Sequence, residues 1–128
     1  MADGWTRAQP YLIGALFLAG GVNHFVSTAA YESIMPPYLP LHREAVIVSG
    51  IAEMAGGLGA LIPTTRPAAG WGLIALLIAI FPANLEMAIH HERFPALPAW
   101  GLYARLPLQV LAILWVYGAL IRRRPADG

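Results

Sequence analysis

Residues 49–60 read SGIAEMAGGLGA, and this stretch decides how the chain folds. It sets one carboxylate, Glu53, near the middle of an apolar segment about long enough to cross a bilayer. At helical spacing Ser49, Gly50, Glu53, Gly56, Gly57 and Ala60 share a face, a seam of small residues against which another helix can pack backbone to backbone. Glu53 is therefore expected to point at protein and not at lipid. Insertion scales set a central charged residue at roughly 2.5–3.5 kcal/mol. The acid is thus expected to hold its proton or to be closely paired with a donor from a neighbouring helix.

The composition agrees with a bilayer setting. Of 128 residues, 58% are hydrophobic and 12% charged, and the mean hydropathy is +0.59, too apolar for a soluble domain of this size. Without cysteine there is no disulfide framework, thiolate metal site or dithiol redox chemistry, so electron transfer would need a bound cofactor. Every basic residue is Arg, and a net charge of +1 gives no broad basic field for nucleic acid. The expected partner is the lipid bilayer, with a protein partner or a second copy left open by the small-residue seams.

Outward from this stretch, the pattern predicts an all-α bundle of four transmembrane helices, at about residues 8–26, 43–62, 68–90 and 100–121, forming one domain. Pro10 is placed in the first turn of the first span, and Asn23 and His24 at its far end. A cleavable signal peptide ending near Ser27, Thr28 and Ala29 is the alternative, against which stand the interruption at 23–25 and Arg7 as the sole early basic residue. Residues 27–42, STAAYESIMPPYLPLH, predict a short capped helix stopped by prolines. Its apolar content suggests a segment lying on the membrane face, with Met35, Pro36, Pro37 and Tyr38 as a lid; a plain interfacial anchor accounts for the same pattern. Residues 63–67, PTTRP, predict a tight turn with a threonine cap for the next helix. Pro82 and Pro107 fall inside the third and fourth spans and free the carbonyls of Ile78 and Tyr103.

Arginine placement predicts sidedness. Arg7, Arg66 and Arg122 to Arg124 lie at the termini and the short turn, and Arg43, Arg93 and Arg105 at the two longer loops, so both termini are expected in the cytoplasm and the Pro-rich loop outside. Tyr31, Tyr38, Trp100 and Tyr103 would form an outer aromatic belt, and Trp5, Tyr11 and Trp71 an inner one.

From Asn23-His24-Phe25, through residues 34–40 (IMPPYLP), to Phe81-Pro82-Ala83-Asn84 and Arg105-Leu106-Pro107-Leu108-Gln109, the chain resembles the DoxX-like family of small four-helix membrane proteins. The likeness spans nearly all of residues 11–120. It implies a four-helix bundle of the inner (plasma) membrane. Some members, similar to a subunit of thiosulfate:quinone oxidoreductase, are linked to quinone-coupled oxidation of sulfur compounds, so the resemblance implies a quinone as the candidate cofactor. The family's distant similarity to eukaryotic membrane chaperones implies the alternative of a non-enzymatic assembly factor. Glu86 departs from the family pattern, where an uncharged or aromatic residue is expected.

Several constellations follow from the residues themselves. Arg105 is a candidate ion-pair partner for Glu53 or Glu86, and Asn23, His24, Asn84 and Gln109 for a polar network in the outer half, as structural glue or as a pocket. Glu86 and His90 share a helical face and offer a metal pair if His24 or His42 joins them, although the HExxH spacing is missing. A haem held by His24 and His90 is the weaker reading, since both lie near the membrane edge. A small transporter would use Glu53 as a proton or cation site, but four helices leave little room for alternating access. No serine, histidine and acid set recommends nucleophilic catalysis. No catalytic or metal residue is assigned from sequence.

Overall fold

Helix is the state of nearly every residue described in the computed structural model, which covers residues 4–33, 35, 37–38, 40–93 and 98–122. The elements are α1 (Gly4–Val26), α2 (Thr28–Ser33), α3 (His42–Leu61), α4 (Arg66–Ile89) and α5 (Ala99–Val116). A single 3-10 turn at His91–Arg93 follows α4, and α5 runs on into π-helical turns over Tyr117–Arg122. No strand occurs among the described residues. Three segments are long and apolar enough to cross a membrane: His42–Leu61, Arg66–Ile89 and Ala99–Arg122. α1 matches them in length at 23 residues, but Gln9 at one end and Asn23 and His24 at the other dilute its apolar run.

α1 begins earlier than its sequence suggests. Pro10 lies well inside the helix instead of opening it. The missing N–H removes one backbone bond, to Thr6, while the ring is fully buried. That burial offsets part of the loss. The chain then bends at Ser27, and Thr28 Oγ1 donates back to the carbonyls of His24 and Phe25 instead of capping α2. Thr65 also departs from its expected part. Its hydroxyl donates to Gly59 O at 2.7 Å and Ile62 O at 3.1 Å, closing the end of α3, and makes no cap bond to α4. Pro67 does sit in the first turn of α4.

Packing follows residue size. α1 lies along α3 through glycines: a Cβ at Gly57 would meet Gly14 O and Leu18 N, each at 2.8 Å, and one at Gly21 would meet Gly50 O at 2.7 Å. Ordinary side chains would hold these two backbones apart. On the other side of the bundle Ile13, Ala60, Leu73, Ile74, Leu77, Val116, Ala119 and Leu120 form the main apolar core, drawing on four helices. A smaller cluster, Met87, Ala88 and Leu102, closes the end of the α4–α5 pair. At the Arg66 end the buried Arg66 donates from Nε to Ala60 O at 2.7 Å and lies 5.0 Å over the Tyr11 ring.

Candidate functional site

The glycine seam is what lets a polar pair sit between α1 and α3. Gly20, Gly21 and His24 follow one another along α1, and Gly50 and Glu53 face them from α3. A Cβ at Gly20 would collide with Glu53 Oε1, so the bare backbone there provides the seat of the carboxylate. Glu53 Oε2 lies 3.0 Å from His24 Nε2. The other ring nitrogen, Nδ1, lies 3.1 Å from Val46 O and 3.1 Å from Ser49 Oγ. Ser49 in turn donates to Val46 O at 2.9 Å. His24 is only 8% exposed, and Tyr31 from α2 stacks on it with ring centroids 4.1 Å apart. All of its polar edge is thus committed within the protein.

Beside this pair is a small cavity of about 120 Å³, lined by His24, Tyr31, Met35, Val46, Ser49, Ile80, Ala83, Asn84 and Arg105. A second cavity of about 210 Å³ shares Met35, Ser49, Ile80 and Ala83 with it and is otherwise walled by Ala45, Leu76, Ala79 and Pro82. One chamber therefore offers a cation and hydrogen-bonding groups, and its neighbour is almost entirely apolar. Of the four lid candidates, Met35 stands in the wall of both cavities. Pro37 and Tyr38 are exposed, and Pro36 lies outside the described residues.

The remaining candidates separate into smaller groups instead of one network. Asn84 donates through Nδ2 to Gln109 Oε1, and Gln109, which is 5% exposed, donates through Nε2 to Leu77 O. That donor reaches the carbonyl one residue before Ile78, whose carbonyl Pro82 leaves without its helical partner. Asn23 donates to the Tyr31 hydroxyl at 2.9 Å and accepts from Ser27 at 3.2 Å. Tyr31 is thus packed on His24.

The expected ion pair of Arg105 with Glu53 or Glu86 does not form. Glu53 is taken by His24. Glu86 pairs with His90 at 2.9 Å one turn away and with Arg93 at 3.4 Å. Local partners reach Glu86 at no cost in loop closure, whereas Arg105 must come from another helix. Arg105 instead lines the polar cavity, and no described carboxylate lies within ion-pair reach of it. The candidate metal set of Glu86 and His90 with His24 or His42 is not assembled either, since no three His, Cys, Asp or Glu side chains cluster among the described residues. For a haem shared with His90, His24 has no free ring nitrogen, with Nε2 facing Glu53 and Nδ1 facing Val46 and Ser49.

Sequence reasoning passed over Ser49 and Tyr31 as site residues. Ser49 stands one helical turn before Glu53, a hydroxyl on the same face as the acid, and that spacing was the available signal. Tyr31 had none, because its position depends on the bend at Ser27.

These features define a small helical bundle with membrane-length helices and a buried histidine paired with a half-buried glutamate beside an amphiphilic cavity. The chain belongs to the family described as a domain of unknown function, DUF8561, whose model matches residues 13–119. No curated protein matches the chain, and no solved structure does.

Proposed function

We propose that the chain is a DoxX-like, multi-pass protein of the inner membrane that serves as an accessory, quinone-associated subunit of a membrane redox system. α1 is the fourth span: 23 residues of helix reach about 35 Å, beyond the roughly 30 Å of a hydrocarbon core. Arg7, Arg66 and Arg122 fall at one end of the bundle and Arg43, Arg93 and Arg105 at the other, which with the arginines beyond Arg122 favours cytoplasmic termini. The Pro-rich segment then lies outside, and Met35 caps the bundle there. A cysteine at Ser33 should react with an impermeant reagent from outside while one at Thr64 stays shielded; the reverse pattern inverts the topology.

The observation that carries the quinone reading is the pair of adjoining cavities. A quinone has a ring edged by carbonyl oxygens and a hydrocarbon tail. Arg105, Tyr31 and Asn84 offer donors to such oxygens in a chamber of about 120 Å³, small enough for a head group alone. The apolar annexe of about 210 Å³ suits the start of a tail. The test is photolabelling of the protein in nanodiscs with an azido-quinone. Labelling should map to Met35, Ile80 or Ala83, be competed by unlabelled quinone, and weaken roughly tenfold in Arg105→Ala, the scale of one hydrogen bond to a charged group. Labelling that is neither competed nor localised there overturns the reading.

One observation favours the second reading, a membrane assembly factor. An open groove of about 550 Å³ between α3 and α4, with Ala52, Ala55, Gly56, Gly59, Ala68, Ala69 and Gly72 along it, suits a partner helix packing backbone to backbone. Loss of a co-purifying partner on Ala55→Leu, with quinone labelling absent from the wild type, would favour this reading over the first.

A further inference from the structure

We propose that Ser49, His24 and Glu53 form a proton-transfer chain that carries one proton from the polar cavity onto Glu53 when an anion binds beside Arg105. The proposal rests on the reading of that cavity as a ligand site. Its geometry is a continuous line: Ser49 lines the cavity, its Oγ lies 3.1 Å from His24 Nδ1, and His24 Nε2 lies 3.0 Å from Glu53 Oε2.

Both protonation states of this line are fully hydrogen-bonded in one arrangement of heavy atoms. In the first, Ser49 donates to His24 Nδ1, and Nε2–H donates to an ionised Glu53. In the second, Nδ1–H donates to Ser49 Oγ, which lies 3.1 Å away, Ser49 turns its own hydroxyl to Val46 O at 2.9 Å, and a neutral Glu53 donates to Nε2. The two lone pairs of Val46 O accept this bond and the helical bond of α3. Only a hydroxyl rotation and proton shifts separate the states. A proton from solvent in the cavity passes to Ser49 Oγ as the serine proton moves to Nδ1 and the Nε2 proton moves to Oε2. One proton is taken from solvent, no electron moves, and the imidazole ends neutral in its other tautomer.

Charge supplies the coupling. The titratable or charged groups facing His24 are Tyr31 from α2 and Glu53 from α3, with Arg105 from α5 across the cavity; α4 presents the uncharged Asn84. Arg105 stands in the wall of the cavity that His24 and Ser49 also line. An anion held there by Arg105 brings a second negative charge beside the His24–Glu53 pair, and in a low-dielectric interior the ionised carboxylate is relieved of that repulsion by taking up a proton.

The test uses 2-hydroxy-1,4-naphthoquinone, an anion at neutral pH, bound to the protein in nanodiscs. Calorimetry in buffers of different ionisation heat should show one proton taken up per probe bound, and infrared difference spectra a new protonated-carboxyl band. Both signals should vanish in Glu53→Gln. Stopped-flow uptake should slow roughly tenfold or more in Ser49→Ala, in keeping with loss of a positioned proton-transfer group, and recover in Ser49→Thr. Binding without proton uptake, or uptake that persists in Glu53→Gln, overturns the chain and leaves the cavity reading standing. Absence of saturable binding overturns the cavity reading and the chain with it.

Discussion

Where α1 meets α3 the contact is made by glycines; where α4 meets α5 and its extension it is made mainly by leucine, valine and a glutamine, with Gly70 close against Leu120 and Ile121 at one end. The first seam brings backbones together and leaves pockets at side-chain scale, one of which seats Glu53 against His24. The second fills its space with interlocking side chains, such as Leu73, Leu77, Val116 and Leu120, and ties it with one buried amide. The difference shows how a bundle of this size keeps an acid inside: it removes side chains around the acid and leaves room for one polar partner, His24. The two seams should accordingly fail in opposite ways, the glycine seam when atoms are added and the α4–α5 seam when they are changed.

The largest effect is expected at Gly57. Its added Cβ would meet two backbone atoms of α1, Gly14 O and Leu18 N, and neither can rotate away. Gly57→Ala should lower stability by about 1–3 kcal/mol, the usual cost of overpacking, and Gly57→Leu should abolish a monodisperse protein in detergent. Gly72, with nothing within 4 Å of a Cβ, is the control. Gly72→Ala should be neutral or stabilising by up to about 1 kcal/mol through helix propensity. Equal losses at both positions in thermal unfolding would dissolve the contrast between packed and open glycines.

The α4–α5 seam should respond to Gln109→Leu, which keeps its volume and removes its amide. Leu77 O then loses a donor and Asn84 an acceptor. The expected loss is about 1–2 kcal/mol, toward the upper end of hydrogen bonds within membranes because two bonds go at once. Denaturant unfolding in a fixed micelle measures it. No loss would mean that apolar packing alone holds this seam.

Much of the architecture was legible from periodicity, and the reasons for the misses are physical. The predicted spans at 43–62 and 68–90 fall within two residues of α3 and α4, because apolar runs bounded by Pro and Thr leave little freedom. The glycine face around Glu53 was legible too, since spacing along one helix fixes which residues share a side. Relations between helices were not. Arg105 was expected to meet an acid, yet the register of α5 against α3 and α4 is set by side-chain packing that no spacing rule encodes. Pro10 was read as a helix start because its missing donor is cheapest there, while burial of its ring outweighed that preference.

The smallest effects are expected at Glu53 itself, and they test whether the glycine seam exists to hold it. Glu53→Gln keeps an oxygen to accept from His24 Nε2–H and should leave stability nearly unchanged. Glu53→Leu leaves that nitrogen without a partner, and the loss should be about 0.6 kcal/mol, the average for hydrogen bonds inside membranes, because an unfolded helix in a bilayer finds other partners. Gly20→Ala should cost a similar amount for a different reason, since the new methyl meets the carboxylate end of Glu53, a side chain that can move, and pushes it from His24. If that is the cause, the two changes are coupled. Once Glu53→Ala has cleared the space, Gly20→Ala should cost nothing, and the double-mutant cycle should show an interaction of about 0.6 kcal/mol. Strict additivity would mean that Gly20 serves the approach of the backbones alone and that the seat of Glu53 is incidental to it.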